Sequence, residues 1–312
     1  MDKPDQQSIN HWRSVKKYLK MTIVINDLLN RCTFPEGPLE CAVSGGADSM
    51  ALLVLATQVS SEVKAIHVDH GIRENSDDEA DFVFQTAQLL GADFESRKIE
   101  VESGPNLEAR ARKARYSVLP ENILTGHTAD DQAETILLAL IRGSAWHGLS
   151  GIRPSFQRPI LKLRRLETEG VCQEFNINYF KDPSNEDLLF RRNQIRHQIL
   201  PLLNSISDRD LVPILERQAD VLRSGADFLK TESEKINSTK CDELLAVHPA
   251  VARESIRNWI WKNRDDDHPP DIATIDRVLA VASLKMRSTD IGSGWRVERT
   301  NRVLRIVPPK EI

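Results

Sequence analysis

Cysteine is scarce in this chain of 312 residues and scattered where it occurs: Cys32, Cys41, Cys172 and Cys241 lie far apart, with no C-x-x-C pair among them. Such spacing offers no framework for a metal or iron–sulfur site and is that of buried, reduced thiols. Long apolar runs are missing too. No stretch of about eighteen apolar residues could cross a bilayer, and the N-terminus lacks the pattern of a secretory signal. A soluble, cytoplasmic protein without a membrane partner is the expectation. The third absence is a lysine: no G-x-x-x-x-G-K-[ST] run occurs, which rules out the usual lysine-bearing phosphate loop. Any phosphate site here has to work without a cationic side chain in its own loop.

A glycine loop of another kind is present. Leu39, Cys41, Ala42 and Val43 form an apolar run that reads as a buried parallel strand, Ser44-Gly45-Gly46-Ala47-Asp48-Ser49 follows, and Met50 to Ala56 is apolar almost without a break. Strand, glycine turn and helix together point several backbone N–H groups, and the positive end of a helix dipole, into one concavity that suits a phosphate. Asp48 would repel that phosphate unless Mg2+ lay between them, which suggests a metal-assisted nucleotide site. The plainer reading is a Gly-Gly turn in which Asp48 or Ser49 caps the helix.

With 40% apolar residues the chain can bury one large core and a second small one. Its formal charge of −4 hides an uneven distribution: Glu62 to Glu102 carries a net −7, and Arg277 to Ile312 a net +5. Affinity for a polyanion follows the local patch, so the basic C-terminal end is compatible with RNA.

Taken in order, Met1 to about Lys20 is a polar extension and Ile23 to Leu29 a first helix. Val63 to Val68 is a second buried strand, ending in Asp69-His70-Gly71-Ile72-Arg73, where polar residues would border the ligand crevice of an open α/β sheet. His67 and Asp69 share a face but have no further ligands for a metal. A helix over Asp77 to Leu90 and a strand over Phe94 to Ile99 follow, then a helix opening at Pro105 or Asn106 with Glu108, Arg112 and Arg115 on its polar face. Asn122 to Thr125 is a short strand. The next helix opens at Gly126-His127-Thr128; at 100° per residue His127, Asp131 and Glu134 share one side, and Ala133, Ile136 and Leu140 the other. Strict alternation to this point argues a parallel sheet covered on both faces. Beyond it lie a long loop from Arg142 to Pro154, helices over Arg165 to Phe175, Phe190 to Leu203 and Leu211 to Lys230, a turn at Asp182 to Asn185, and strands within Trp295 to Val307.

Ser-Gly-Gly-x-Asp-Ser after a strand resembles the signature of the PP-loop ATP pyrophosphatase superfamily, whose members split ATP between its α and β phosphates to adenylate a substrate. The motifs SGGADS, VDHGIR, NLEARARKARY, GHTADDQAET, RGSAWHGLSGIR, RPIL, DPSN and RRNQIR, in that order over about Leu39 to Leu203, resemble those of the tRNA(Ile)-lysidine synthetase family within it. The resemblance implies an α/β fold, a doubly wound, Rossmann-like parallel sheet with a smaller C-terminal domain, split here as 1–205 and 206–312. It implies a ligase that adenylates O2 of the wobble cytidine in the CAU anticodon of tRNA(Ile) and lets L-lysine displace AMP, giving lysidine and AUA decoding.

By the same resemblance Ser44, Gly45, Gly46, Ala47, Asp48 and Ser49 bind ATP, with Asp48 near Mg2+. Arg112 and His127 lie near the adenylate, and Asp131 and Glu134 match acids proposed to hold lysine. Arg192, Arg196, Arg296, Arg299 and Arg302 are the expected tRNA contacts, and a homodimer is left open. Many members have a second histidine where this chain has Thr128, so no role of that ring carries over. Two other readings stand beside this one. A tRNA thiolase on the same loop would need reactive cysteines near the site, and a non-catalytic ATP sensor would not need three costly acids.

Overall fold

The computed structural model describes residues 25–69, 76–99, 107–180, 186–264 and 269–309. The polar N-terminal extension, the run His70 to Arg73 and the expected turn at Asp182 to Asn185 lie outside these residues. The chain divides into two compact units between Ala219 and Asp220. A boundary at 205 falls inside one helix, Leu200–Ser207, whereas the units part inside the next, Val212–Ser233.

The first unit alternates as its apolar periodicity requires: helix α1 (25–30), β1 (Leu39–Ala42), α2 (Ala47–Val59), β2 (Val63–Asp69), α3 (Ser76–Leu89), β3 (Asp93–Lys98) and α4 (Leu107–Val118). β1 pairs with β2 and β2 with β3, all parallel, with Leu39 opposite Val63 and Lys64 opposite Asp93. The strand expected over Asn122 to Thr125 contracts to a single parallel bridge between Cys41 and Leu124. Ala42 donates to Leu124 O at 2.9 Å and Leu124 to Glu40 O at 2.8 Å, but Thr125 turns its N–H to Gln157 O instead and ends the ladder. The spatial order is therefore β3, β2, β1, Leu124. Progression along the sheet reverses at β1, and the crevice beyond the strand ends at such a reversal is where doubly wound folds bind ligands.

Side chains leave the strands with period two. Leu39, Cys41, Val43, Val63 and Ala65 pack with α2 and α3 in the main core, and Ala42, Ile66 and Val68 meet Leu119 and Ile123 on the opposite face. α2 is apolar on every side, and Met50 through Ala56 are fully buried. A helix of that kind is stable only inside a core, at roughly 1.5–3 kcal/mol for each large side chain buried. The glycine loop that starts it is thereby anchored to the main core.

Then come α5 (Ala129–Ile141), α6 (Trp146–Leu149), α7 (Arg165–Glu174), α8 (Arg191–Gln194), a π turn (Ile195–Ile199), α9 (Leu200–Ser207) and α10 (Val212–Ser233). Two features depart from a regular buried helix. Leu140, on the side of buried Ala133 and Ile136, is itself 59% exposed and Ile141 is exposed as well, while Leu138 and Ala139 in the same turn stay packed. The helix expected from Phe190 to Leu203 is interrupted by the π turn. Pro201 has no N–H to give and its ring crowds the carbonyl four residues back, so the preceding turn widens.

The second unit adds α11 (Cys241–Ala246), α12 (Pro249–Asn263), α13 (Ile272–Ala282) and an antiparallel sheet of β4 (Ser288–Gly292), β5 (Trp295–Thr300) and β6 (Val303–Val307). Ile256, Ile260, Val278, Val281, Val297 and Leu304 form its core. α13 is capped by Asp271, whose carboxylate accepts from Thr274 N–H at 2.7 Å.

Candidate active site

The glycine loop closes on itself at the carboxyl end of β1. Gly45 has φ +82°, a left-handed conformation that glycine adopts without strain. Ser49 Oγ accepts from Ser44 N–H at 3.1 Å and donates to Gly46 O at 2.9 Å, so the loop ends at a helix N-terminus with a fixed curvature. Across the crevice, Gly126 lies so close to this turn that a Cβ there would meet Asp48 O at 2.9 Å and Ser49 N at 3.1 Å. The neighbours are backbone, which cannot rotate away. Gly126→Ala should therefore destabilise the protein by about 1–3 kcal/mol and weaken nucleotide binding, both readable from urea midpoints with and without ATP; an unchanged ATP-induced shift would dissociate Gly126 from the loop.

α5 begins directly after Gly126. Thr128 is its N-cap and forms a capping box with Asp131, whose Oδ2 accepts from Thr128 N–H at 2.9 Å and from Thr128 Oγ1 at 3.0 Å. Position 128 is thus fully buried helix-start chemistry, which accounts for the threonine without any catalytic ring. His127 precedes the cap. Thr125 gives its hydroxyl hydrogen to Gln157 O at 2.9 Å, so the 2.8 Å contact from His127 Nδ1 is an N–H donated to Thr125, and in the neutral ring Nε2 is the acceptor.

Asp48, Asp131 and Glu134 converge on one residue that sequence reasoning did not single out. Arg165, the first residue of α7, reaches Asp48 Oδ2 with Nε at 3.3 Å, Glu134 Oε1 with Nη1 at 3.2 Å and Asp131 Oδ1 with Nη2 at 3.4 Å. Thr168, one turn on, donates to Asp48 Oδ1 at 2.5 Å. Arg164 binds Asp130 through Nε at 3.0 Å and Nη2 at 3.1 Å. Two of the expected tRNA contacts also lie here: Arg192 donates to Glu134 Oε2 at 2.6 Å and Asp131 Oδ1 at 2.9 Å, and Arg196 to Glu134 Oε1 at 2.7 Å. Glu134 is completely buried. The expected acids are thus together, inside a cage of guanidinium groups.

Burial pushes Asp48 up from the ordinary aspartate value, against the pull of Arg165 and Thr168. Burial acts the same way on Asp131 and Asp130 but is outweighed, by Arg165 and Arg192 in the first case and by Arg164 and the Arg165 N–H in the second, so both carboxyls are held below it. A depressed carboxylate contributes stability above its unfolded value of about 3.9 and loses it as pH falls through the folded value. The urea-midpoint gap between wild type and Asp130→Asn should therefore be full at neutral pH and close below about pH 4; a constant gap would mean that the charge is not what Asp130 contributes.

Of the other expected residues, Arg112 lies on α4 but its side chain is outside the described set. The three C-terminal arginines do not share a face. Arg296 is exposed and sits between Asp290 and Val307, whereas Arg299 lies opposite buried Leu304 on the core side. Arg302 occupies a turn at φ +63° and pairs with Asp242 at 2.7 Å. His67 is a core histidine whose Nδ1 meets Val43 O at 2.9 Å. Burial pushes the thiols of Cys32, Cys41 and Cys172 up to about 12, which leaves them poor nucleophiles.

Among the described residues no set of three or more His, Cys, Asp or Glu side chains is arranged to hold a metal ion. Asp48, part-exposed beside a phosphate-type loop, fits the other mode, in which Mg2+ takes one carboxylate and draws its remaining ligands from phosphates and water.

Comparison with known proteins bears on this site. Residues 17–203 match the PP-loop domain family. A tRNA(Ile)-lysidine synthase of Mycobacterium leprae is 37% identical over 238 residues, 70% of this chain and 73% of that one. The protein of the same name from Rhodococcus erythropolis is 35% identical over 242 residues, 72% and 74% of the two chains. One from Solibacter usitatus is 33% identical over 77% of this chain and 60% of its own. Among solved structures, the U34-tRNA thiolase NcsA from Methanococcus maripaludis, with its [4Fe-4S] cluster, superimposes with a TM-score of 0.52 at 17% identity, covering 65% of this chain and 80% of that one. That likeness is one of fold.

Proposed function

Since the chain belongs to the tRNA(Ile)-lysidine synthase family and carries its PP-loop domain, we propose that it joins lysine to C2 of the wobble cytidine in the CAU anticodon of tRNA(Ile), consuming ATP and releasing AMP and pyrophosphate. One observation carries the reading beyond family membership: Asp48 at the phosphate loop and Asp131 and Glu134 on α5 lie within reach of a single guanidinium, that of Arg165. On this reading a site for phosphates and a site for a cationic amine adjoin.

The chemistry needs that adjacency. A cytosine C2 carbonyl is a poor electrophile, so its oxygen first attacks the α phosphate of ATP and expels pyrophosphate. The lysine ε-amine then attacks C2, the C2–O2 bond breaks, and AMP leaves carrying the oxygen. Mg2+ would share charge with the phosphates at Asp48. His127 stands at the mouth of α5 with Nε2 as the group able to take or give a proton, and Asp131 and Glu134 would hold lysine by its ammonium charge. Only about one ε-amine in 2,500 is neutral at pH 7, so a base must act before attack. The target base must leave its stack, which an anticodon loop allows at modest cost.

We place the reaction in the cytoplasm with tRNA(Ile) and L-lysine as substrates, the catalytic domain at about 1–205 and tRNA contacts in the smaller C-terminal part. Arg296, exposed on its sheet, is the C-terminal arginine best disposed for a phosphate. Arg296→Glu should weaken tRNA binding and reduce the salt slope by roughly 0.7–0.9, with ATP binding unchanged; an unaltered slope would assign Arg296 to the sheet alone. The assembly, a homodimer or a monomer, is read by light scattering. The central test incubates the protein with ATP, lysine and transcribed tRNA(Ile), following pyrophosphate and the modified nucleoside. Pyrophosphate release that needs the tRNA, and lysidine that needs lysine, would support the reading; sulfur incorporation in place of lysidine would replace it with a thiolase.

A further inference from the structure

Glu134 is saturated. A carboxylate offers about four lone-pair sites, and four guanidinium contacts fill them: Arg165 Nη1 at 3.2 Å and Arg196 Nε at 2.7 Å on Oε1, Arg192 Nε at 2.6 Å and Arg196 Nη2 at 3.3 Å on Oε2. With its side chain wholly buried, this carboxylate has no approach left for an ammonium group. If Glu134 takes a substrate amine, at least one arginine has to leave it first.

The three arginines are not equally free to do so. Arg165 is tied to Asp48 and Asp131 as well, and its own N–H is held by Asp130 at 2.7 Å. Both hydrogen bonds that Arg196 gives to a carboxylate go to Glu134, and Arg192, four residues earlier on the same helical face, divides itself between Glu134 and Asp131. Arg192 keeps 34% of its side-chain surface in solvent, against 22% for Arg165 and 21% for Arg196, so it is the number of carboxylates each one holds that separates Arg196 from Arg165. Arg192 and Arg196 sit where α8 runs into the π turn, and next to exposed Leu189 and Phe190, on a segment that reaches the surface. A phosphate offers a guanidinium the same bidentate, charge-assisted bonds that a carboxylate does, so an arginine drawn to RNA keeps its bonds, and the incoming ammonium replaces the partner that Glu134 gives up.

We propose that Arg192 and Arg196 form a latch on Glu134 that phosphates of the bound RNA draw off, so that the lysine site opens only once RNA is in place. This rests on the lysine-ligating reading above and adds an order to it. Lysine binding and RNA binding are then coupled, and the coupling is reciprocal. The latch also protects the reaction, since an amine admitted without RNA would meet ATP and no cytidine.

Equilibrium dialysis of labelled lysine, without ATP so that nothing turns over, tests this in four arms: wild type and Arg196→Gln, each with and without transcribed tRNA(Ile). Wild type should bind lysine about 10-fold more tightly with RNA than without, within the usual range of coupling. Arg196→Gln should bind lysine without RNA nearly as tightly as wild type does with it, and RNA should then add less than about 2-fold. The wild-type arms need no variant to fold, and Arg196→Lys, which keeps the charge but loses the fork, should fall between. Equal lysine affinity in the two wild-type arms, or a variant that still needs RNA, overturns the latch. An enzyme that makes lysidine but shows no coupling would lose the latch and keep its function. A protein that shows the coupling but makes no lysidine would do the reverse.

Discussion

Asp48→Ala should lower lysidine formation by about 10²-fold or more while the protein stays folded. The side chain is part-exposed, its partners Arg165 and Thr168 keep other hydrogen bonds, and the core beneath the loop is built from Met50 to Ala56. What the substitution removes is the one loop carboxylate able to share a divalent cation with ATP, and several kcal/mol of charge stabilisation in the transition state corresponds to that loss of rate. Steady-state rates together with a urea midpoint decide it. Full turnover by folded Asp48→Ala would remove the metal role, and loss of fold along with activity would make Asp48 a structural cap.

Glu134 has the other large effect, and the two substitutions that separate its roles differ in kind. Glu134→Leu leaves three guanidinium groups pointing at an apolar side chain. Breaking a buried ion pair on one side costs about 3–5 kcal/mol, and the lower end applies here because the arginines are themselves partly solvated. Glu134→Gln keeps the shape and one acceptor oxygen, so it should fold. It should slow the lysine step more than adenylation, and adenylated tRNA should accumulate. A time course of the two RNA species is decisive: equal slowing of both steps, with unchanged lysine dependence, would assign Glu134 to the ATP site or the fold.

Much of this was legible in residue order. β1 and β2 stand out as apolar runs, the loop as Gly-Gly after a strand, and the acids of α5 as a helical face, because each rests on local periodicity or turn chemistry. Arg165 and Thr168 were not legible in that way, since their partners are far away in sequence and join them only when α7 packs against α2. A signal did exist. Arg164-Arg165 and Arg191-Arg192 both stand at helix N-termini, where the dipole disfavours cations, and such a placement asks for carboxylates nearby. The strand at Leu124 was shorter than its pattern suggested because Gln157, a loop residue, captures the next N–H. The spread of Arg296, Arg299 and Arg302 over different faces follows from strand alternation and a left-handed turn, which a charge count does not see.

The π turn between α8 and α9 can also be considered as a matter of chain length. A π segment holds one residue more than a regular helix would use over the same rise, and a loss of one residue within Ile195–Ile199 could be absorbed by rewinding to α geometry. The helix would survive with its two ends in phase, because four residues in α geometry turn the chain by about 400°, nearly as far as the five-residue π turn does, and Arg192 would still face Glu134. Elsewhere a shortened helix announces itself as poor folding. Here a single-codon deletion would leave α8 and α9 in register with the acids of α5, so this segment absorbs a change of length that a regular helix would turn into a change of face.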